Sequence, residues 1–117
     1  MAIDFSLSPE LEEIRLRIRT FIDAEVKPVE EIIDREKLDE TDRERYVSSL
    51  IGMRKKAFAE ELWLPHMPKE WGGMGLGHVE LAMVQAEAAK SRYGPWVLNC
   101  QAPDEGNMHT LLHWGTG

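Results

Sequence analysis

The segment from Leu64 to His78 constrains the fold most, because it concentrates residues that interrupt regular structure. Its helix-breaking residues are Pro65, Pro68, Gly72, Gly73, Gly75 and Gly77. Proline has no backbone N–H donor and glycine readily adopts positive φ, so neither a helix nor a strand is expected to run through this segment. The segment predicts an ordered loop between two groups of secondary-structure elements, in which the glycines serve the turn.

A helix is predicted near the start of the chain. Ser8 can cap free backbone N–H groups, and Pro9 fits the first helical position because it has no N–H to leave unpaired. Apolar residues then recur at helical spacing, at Leu11, Ile14, Ile18, Phe21 and Ile22. The pattern predicts an amphipathic helix over about 9–26, which Pro28 should kink or stop before a further short helical stretch.

A second long helix is predicted to begin at Thr41. Thr41 and Glu44 have the spacing of a capping box, in which each side chain accepts from the other's free backbone donor. The apolar stripe of this helix is Tyr46, Leu50, Met53, Ala57 and Phe58. Arg54, Lys55 and Lys56 are predicted to form its solvated side.

The chain after the loop also predicts helices. Residues 79–91 are apolar on nearly all sides, so this helix is expected to lie deep in the bundle. Gly94 and Pro95 end it, and a last helix is predicted from 102–104 to Trp114. Because no segment alternates as a strand does, we predict an all-α helical bundle in which residues 1–117 form one domain.

Composition excludes several classes of function. Fourteen basic against 21 acidic residues give a net charge of -7, which disfavours nucleic acid as a partner. No apolar run approaches the roughly 20 residues of a membrane span, and the start lacks a secretory signal. Cytoplasm is the simplest expected location, and a mitochondrial or peroxisomal one is compatible with the sequence. The single cysteine, Cys100, is predicted to be a small buried residue and not a reactive thiol.

The motifs that carry chemistry are weak. Counted from Gly73 or Gly75, the third glycine of the G-x-G-x-x-G dinucleotide motif falls on His78 or Glu80, which disfavours phosphate binding. His109 and His113 have a spacing that can share a metal ion, but surface histidines are the favoured interpretation because residue 110 is not the glutamate of H-E-x-x-H. We therefore predict no catalytic, cofactor-binding or metal-binding residue from motifs alone.

Two stretches nonetheless resemble a known family. Residues 68–75, PKEWGGMG, resemble the P-x-E-(Y/W)-G-G-x-G loop between the second and third helices of acyl-CoA dehydrogenases. Residues 99–108, NCQAPDEGNM, followed by WGT at 114–116, resemble the subgroup whose larger eukaryotic members carry a phosphotransferase-like domain. On these motifs the chain is identified as a member of this family, matching its N-terminal helical domain.

The resemblance implies an FAD-dependent enzyme. In this family a glutamate removes the α-proton of an acyl-CoA thioester while a hydride leaves the β-carbon for the flavin, which gives a trans-2-enoyl-CoA. The flavin contacts and the glutamate belong to later domains, so the chain is expected to be truncated before them, to bind no FAD alone and to be inactive alone. The complete enzyme implies acyl-CoA and an electron-transfer acceptor as partners, and a homo-oligomer.

The resemblance also implies where the acyl pocket lies. Family members line part of that pocket from the segment between the third and fourth helices, which here corresponds to Val97, Leu98, Asn99, Gln101 and Ala102. Simple packing is an equal alternative for each of them. The subgroup hints at longer or branched acyl groups. The alternative function is a free-standing, non-catalytic helical interaction module.

Two expectations concern apolar surface. Trp71 is predicted to be a buried plug that holds the glycine-rich turn against the bundle. The third helix and the four tryptophans predict an exposed apolar face on which other domains dock, so the chain alone is expected to self-associate or partly unfold.

Overall fold

The computed structural model describes residues 8–101 and 104–115, and the regular elements of these residues are all helical. The longer helices are α1 (Pro9–Phe21), α2 (Lys27–Glu36), α4 (Arg43–Ala59), α5 (His78–Ala88) and α7 (Asp104–Trp114). Two helices of four residues, α3 (Leu38–Thr41) and α6 (Gly94–Val97), lie between them, with a π-helical turn at Ile22–Val26 and a 3-10 turn at Lys69–Trp71. The predicted all-α class is confirmed. Within the described residues, no helix is long and apolar enough to cross a bilayer.

The first helix begins as its sequence predicts. The Ser8 hydroxyl accepts a hydrogen bond from the backbone N–H of Leu11 at 3.3 Å, and proline occupies the first turn. Near Pro28 the helix widens into the π-helical turn, in which the N–H of Lys27 bonds to the carbonyl of Ile22. Since proline disfavours an ordinary α-turn, Pro28 accompanies an interruption of the α-helical pattern, and α2 follows directly.

The start of α4 differs from the predicted capping box. Asp42, and not Thr41, is the N-cap, and its carboxylate accepts from the N–H of Arg45 at 3.1 Å. Thr41 ends α3 instead, because its hydroxyl donates back to the carbonyls of Glu36 and Lys37. The prediction was therefore wrong by one residue, since two adjacent residues can both act as caps.

The core lies where α1, α4, α5 and α6 meet. Its buried members include Ile18, Phe21, Ile22, Met53, Ala57, Leu62, Leu81, Val84, Ala88, Val97, Leu98 and Cys100. The predicted apolar face of α1 is confirmed by the burial of Ile18, Phe21 and Ile22.

Helix α5 is buried on one face only. Leu81, Val84 and Ala88 point into the core, but Val79 is 80% exposed and Ala82 is exposed as well. The expectation that this helix lies deep in the bundle was wrong, because its main packing partners among the described helices, α1 and α6, cover only one of its faces. Its outer face is apolar surface.

One member of the predicted α4 stripe also faces outward. Phe58 is 65% exposed, whereas Met53 and Ala57 are buried. Phe58 follows Ala57 directly, and one residue turns a helix by about 100°, so the two side chains leave the helix in different directions.

A buried carboxylate joins α1 to α5. Glu87 Oε1 accepts from Arg19 Nε at 2.5 Å and from Lys90 Nζ at 3.2 Å, and Arg15 lies 3.9 Å from the other oxygen. Burial alone would raise the pKa of Glu87, but the hydrogen bonds from Arg19 and Lys90 outweigh it and hold the pKa below its ordinary value. The ionised form therefore stabilises the contact between the two helices.

We expect Glu87→Gln to lower the free energy of unfolding by about 1–2 kcal/mol at pH 7, because the charge-assisted bonds are lost. A depressed carboxylate pKa stabilises the fold above the unfolded-state value of about 4.3, and this contribution disappears as the pH falls through the folded-state pKa. Urea unfolding of both proteins from pH 7 to acid should show the difference shrinking below about pH 4.3. Glu13→Gln, at an exposed position on α1, is the control and should show little change. A difference that does not depend on pH would contradict this role for the charge.

Candidate functional site

The segment that follows α6 turns sharply at Asn99. Asn99 has φ 57°, in the left-handed region, which asparagine tolerates better than most residues. Its N–H bonds to the carbonyl of Trp96, and the N–H of Cys100 bonds to the carbonyl of Pro95, both at 3.0 Å. This is the Schellman pattern of helix termination. Asn99 therefore serves to end the helix, whether or not it also contacts substrate.

The loop and α5 each hold this segment through a backbone carbonyl. The N–H of Leu64 donates to the carbonyl of Leu98 at 3.0 Å. The side-chain amide of Gln85 donates to the carbonyl of Cys100 at 2.6 Å.

Burial raises the pKa of the Cys100 thiol to about 12, so the group is a neutral thiol near pH 7. The prediction that Cys100 is a small buried residue is confirmed.

Helix α4 holds the same segment from a third side. Arg54 Nε donates to the carbonyl of Trp96 at 3.1 Å. The guanidinium carbon lies 3.5 Å from the Trp96 ring centroid and 5.2 Å from that of Trp63. A cation over an aromatic face is stabilised by the ring's quadrupole. The prediction of a solvated side was wrong for Arg54, because the rings of Trp63 and Trp96 cover it, and is confirmed for Lys55 and Lys56, which are exposed.

The predicted acyl-wall residues divide into two groups. Val97 and Leu98 are fully buried in the core. Asn99 is half-buried and Gln101 is exposed, so these two offer polar side chains near the surface. Ala102 lies outside the described residues. Contact of any of the five with substrate stays a prediction.

The glycine-rich loop is held together by its own backbone. Gly72 has φ 84° and Gly75 has φ 71°, which confirms that these glycines serve the turn. Five of its N–H groups are paired with loop carbonyls: Gly72 with Lys69, Gly73 with Pro68, Met74 with Leu64, Gly75 with Met67 and Leu76 with Pro65. These five donors are used within the loop and are not available to a phosphate.

Trp71 is not a buried plug. Its side chain is 64% exposed, whereas Pro65, His66 and Met67 are buried. The prediction was wrong because the hydrogen-bonded turn and this short buried run, and not the tryptophan, fix the loop against the bundle.

Three histidines from different parts of the chain meet beside the loop. The ring centroid of His109 lies 5.3 Å from that of His66 and 5.4 Å from that of His78. We call these three residues the histidine cluster. His113, considered as a metal partner of His109, is exposed. In the described part of the chain, no three His, Cys, Asp or Glu side chains are arranged to hold a metal ion.

An open groove of about 530 Å³ lies elsewhere, between α1 and the end of α4. Its lining comprises Glu13, Leu16, Arg17, Thr20, Phe21, Ala24, Glu25, Glu60 and Leu62. The groove contains none of the predicted acyl-wall residues.

Comparison with known proteins identifies the family. Residues 8–117 match the model of the N-terminal domain of acyl-CoA dehydrogenases. The chain belongs to the acyl-CoA dehydrogenase family. The glycine-rich loop and the segment after α6 are therefore features of an acyl-CoA dehydrogenase N-terminal domain.

Named relatives agree with this assignment. Mouse acyl-CoA dehydrogenase family member 10 is 33% identical over 94% of this chain, and rat family member 11 is 31% identical over 96%. A solved structure from Mycobacterium abscessus, provisionally assigned as an acyl-CoA dehydrogenase, has a TM-score of 0.80 at 34% identity over 96% of this chain. The chain spans only 11% and 14% of the two curated relatives and 30% of the solved structure.

Proposed function

We propose that this chain is the N-terminal part of an FAD-dependent acyl-CoA dehydrogenase, which converts an acyl-CoA thioester to a trans-2-enoyl-CoA. The observation that carries the proposal is the family match over residues 8–117. The TM-score of 0.80 to the M. abscessus structure supports it. The role we assign to this chain is to supply acyl-pocket wall and a packing surface, while FAD and the catalytic base are held by other domains.

The pocket wall is proposed to be formed by Asn99 and Gln101, and the proposal extends to Ala102, which lies outside the described residues. Val97 and Leu98 are buried beneath this surface and support it. Binding pockets are mostly apolar and carry a few well-positioned polar groups that fix orientation. A segment held through the carbonyls of Trp96, Leu98 and Cys100 suits that purpose because its backbone has little freedom to shift.

The packing surface is proposed to involve apolar side chains that this chain leaves exposed. Val79 on α5 and Trp114 on α7 are 80% and 84% exposed, and Trp71 in the loop is exposed as well. Large apolar side chains at a surface mark interfaces when they form contiguous patches. In the longer protein we propose that other domains of the same polypeptide cover them.

A chimeric enzyme tests the proposal. The segment of the M. abscessus protein that matches this chain would be replaced by residues 1–117, and flavin content and dye-linked turnover of an acyl-CoA series would be measured. We expect a flavin-bound enzyme whose preference for acyl length or branching differs from that of the parent. Gln101→Ala should shift that preference, whereas His113→Gln, at an exposed position on α7, should not. A folded, active chimera with the parent's preference in every variant would contradict the pocket-wall role.

The chain alone is expected to retain no flavin through gel filtration and to show no acyl-CoA oxidation, because the family resemblance assigns the flavin contacts and the catalytic base to other domains. Yellow cofactor co-eluting with the purified chain would contradict this expectation. A chain that binds no flavin and a chimera that fails to fold would together favour the alternative, a non-catalytic helical module.

A further inference from the structure

Helix α7 meets the rest of the described chain through its first half. Met108 Sδ lies 3.3 Å from His66 Nε2, and the ring of His109 lies against His66 and His78. Beyond these residues the helix presents exposed apolar side chains, among them Leu111. The histidine cluster is therefore the place where α7 contacts the glycine-rich loop and the start of α5.

The position of His66 suits only a neutral imidazole. The residue is 4% exposed, its Nδ1 is buried without a hydrogen-bond partner, and its Nε2 faces the thioether of Met108. An imidazolium has two N–H donors, and a thioether is a weak acceptor. Burial lowers the pKa of His66 and the nearby His109 lowers it further, while Glu105 acts in the opposite direction.

The other ionisable groups at the cluster do not compensate for the burial of a charged His66. Glu105 Oε1 lies 3.0 Å from His109 Nε2, but the two residues are four apart on α7, so their contact moves with the helix and changes little on release. His78 is the first residue of α5, and its ring centroid lies 5.4 Å from that of His109. Protonation of His66 would thus add a positive charge beside the imidazole of His109, which in turn lies against His78, with the Glu105 carboxylate nearby.

We propose that the histidine cluster is an acid-sensitive contact, which holds α7 on the loop while His66 is neutral and releases α7 when His66 takes up a proton. Once α7 leaves, His66 is hydrated and regains the ordinary histidine pKa of about 6.5. The docked state binds fewer protons than the released state, so docking is strongest above about pH 6.5 and weakens as the pH falls below it. At pH 5.5, one unit below this pKa, proton uptake by the released state can weaken the docking equilibrium by about tenfold.

Amide hydrogen exchange of the chain itself tests this proposal. Protection factors, corrected for the intrinsic pH dependence of exchange, would be compared at pH 7.5 and 5.5. We expect the amides of Met108 to Trp114 to lose about tenfold in protection, while those of α1 and α5 keep theirs. Unchanged protection of α7, or an equal loss in all three helices, would overturn the proposal.

Matched variants assign the effect to one side chain. His66→Gln should remove the pH dependence of α7 protection, whereas His113→Gln, on the same helix but exposed, should keep it. If His66→Gln leaves α7 unprotected at both pH values, the variant cannot separate the two explanations. The protonation of the His66 ring would then be followed by NMR in the unsubstituted chain. A ring that titrates near 6.5 while α7 remains protected would overturn the proposal, and a ring that takes up its proton only as α7 loses protection would support it.

Discussion

Gly73→Ala is expected to lower the free energy of unfolding by about 3 kcal/mol, at the upper end of the usual cost of overpacking. A β-carbon at this position would lie 2.2 Å from the carbonyl oxygen of Met67 and 2.4 Å from that of Leu64. Both are backbone atoms, so neither can rotate away as a side chain would. The loop would have to open, and its hydrogen bonds from Gly73 to Pro68 and from Gly75 to Met67 would weaken.

Gly52→Ala is the matched control, because it adds the same methyl group where nothing lies within 4 Å. Gly52 is inside α4, and alanine there should stabilise the helix by about 0.5–1 kcal/mol. Thermal and urea unfolding of the two variants would therefore give shifts of opposite sign. Wild-type stability in Gly73→Ala would mean that the loop relaxes freely and does not fix the turn between α4 and α5.

Phe21→Ala is expected to cost about 3–5 kcal/mol, the usual range for removing a buried aromatic side chain. Phe21 ends α1, is 2% exposed and belongs to the central core. Its removal would leave a void among packed side chains, and the loss would be a large fraction of the roughly 5–15 kcal/mol by which native domains are stable.

Phe58→Ala provides the comparison, since the same chemical change at an exposed position should stay within about 0.5 kcal/mol. Trp71→Ala should likewise have a small effect on unfolding, because its side chain is mostly exposed. Urea unfolding of the three variants would rank Phe21→Ala far below the others. A large loss in Trp71→Ala would show that the tryptophan packs against the loop after all.

Local patterns in the sequence predict local structure well in this chain. Ser8 and Pro9 predict the start of α1, and the glycines and prolines of residues 64–77 predict the loop, because each depends on the backbone preferences of a few adjacent residues. The error at Thr41 is also local in origin. Lys37, at φ 50°, is the cap residue between α2 and α3. The Thr41 hydroxyl donates to its carbonyl and is therefore not available to cap α4. Residue 37 is a lysine, and this residue type does not predict a left-handed conformation.

Burial and side-chain clusters were not predictable in the same way. The exposure of Phe58 and Trp71 and the cover over Arg54 depend on which distant elements face each residue. The histidine cluster joins residues 66, 78 and 109, which no spacing rule connects. For the proposed pocket wall, the family resemblance located the segment after α6, but only the three-dimensional contacts separate the buried Val97 and Leu98 from the outward Gln101.

The way in which residues 96–101 are held has a consequence for how the family can diversify. Arg54, Leu64 and Gln85 all bind carbonyl oxygens in this segment, and every amino acid has such an oxygen. The path of the backbone is therefore independent of the side chain at 101, which can be exchanged without disturbing the anchors. Position 99 has less freedom, because a left-handed turn favours asparagine or glycine there. If Gln101 lines the pocket as proposed, single substitutions at position 101 can alter substrate preference while the backbone beneath it keeps its path.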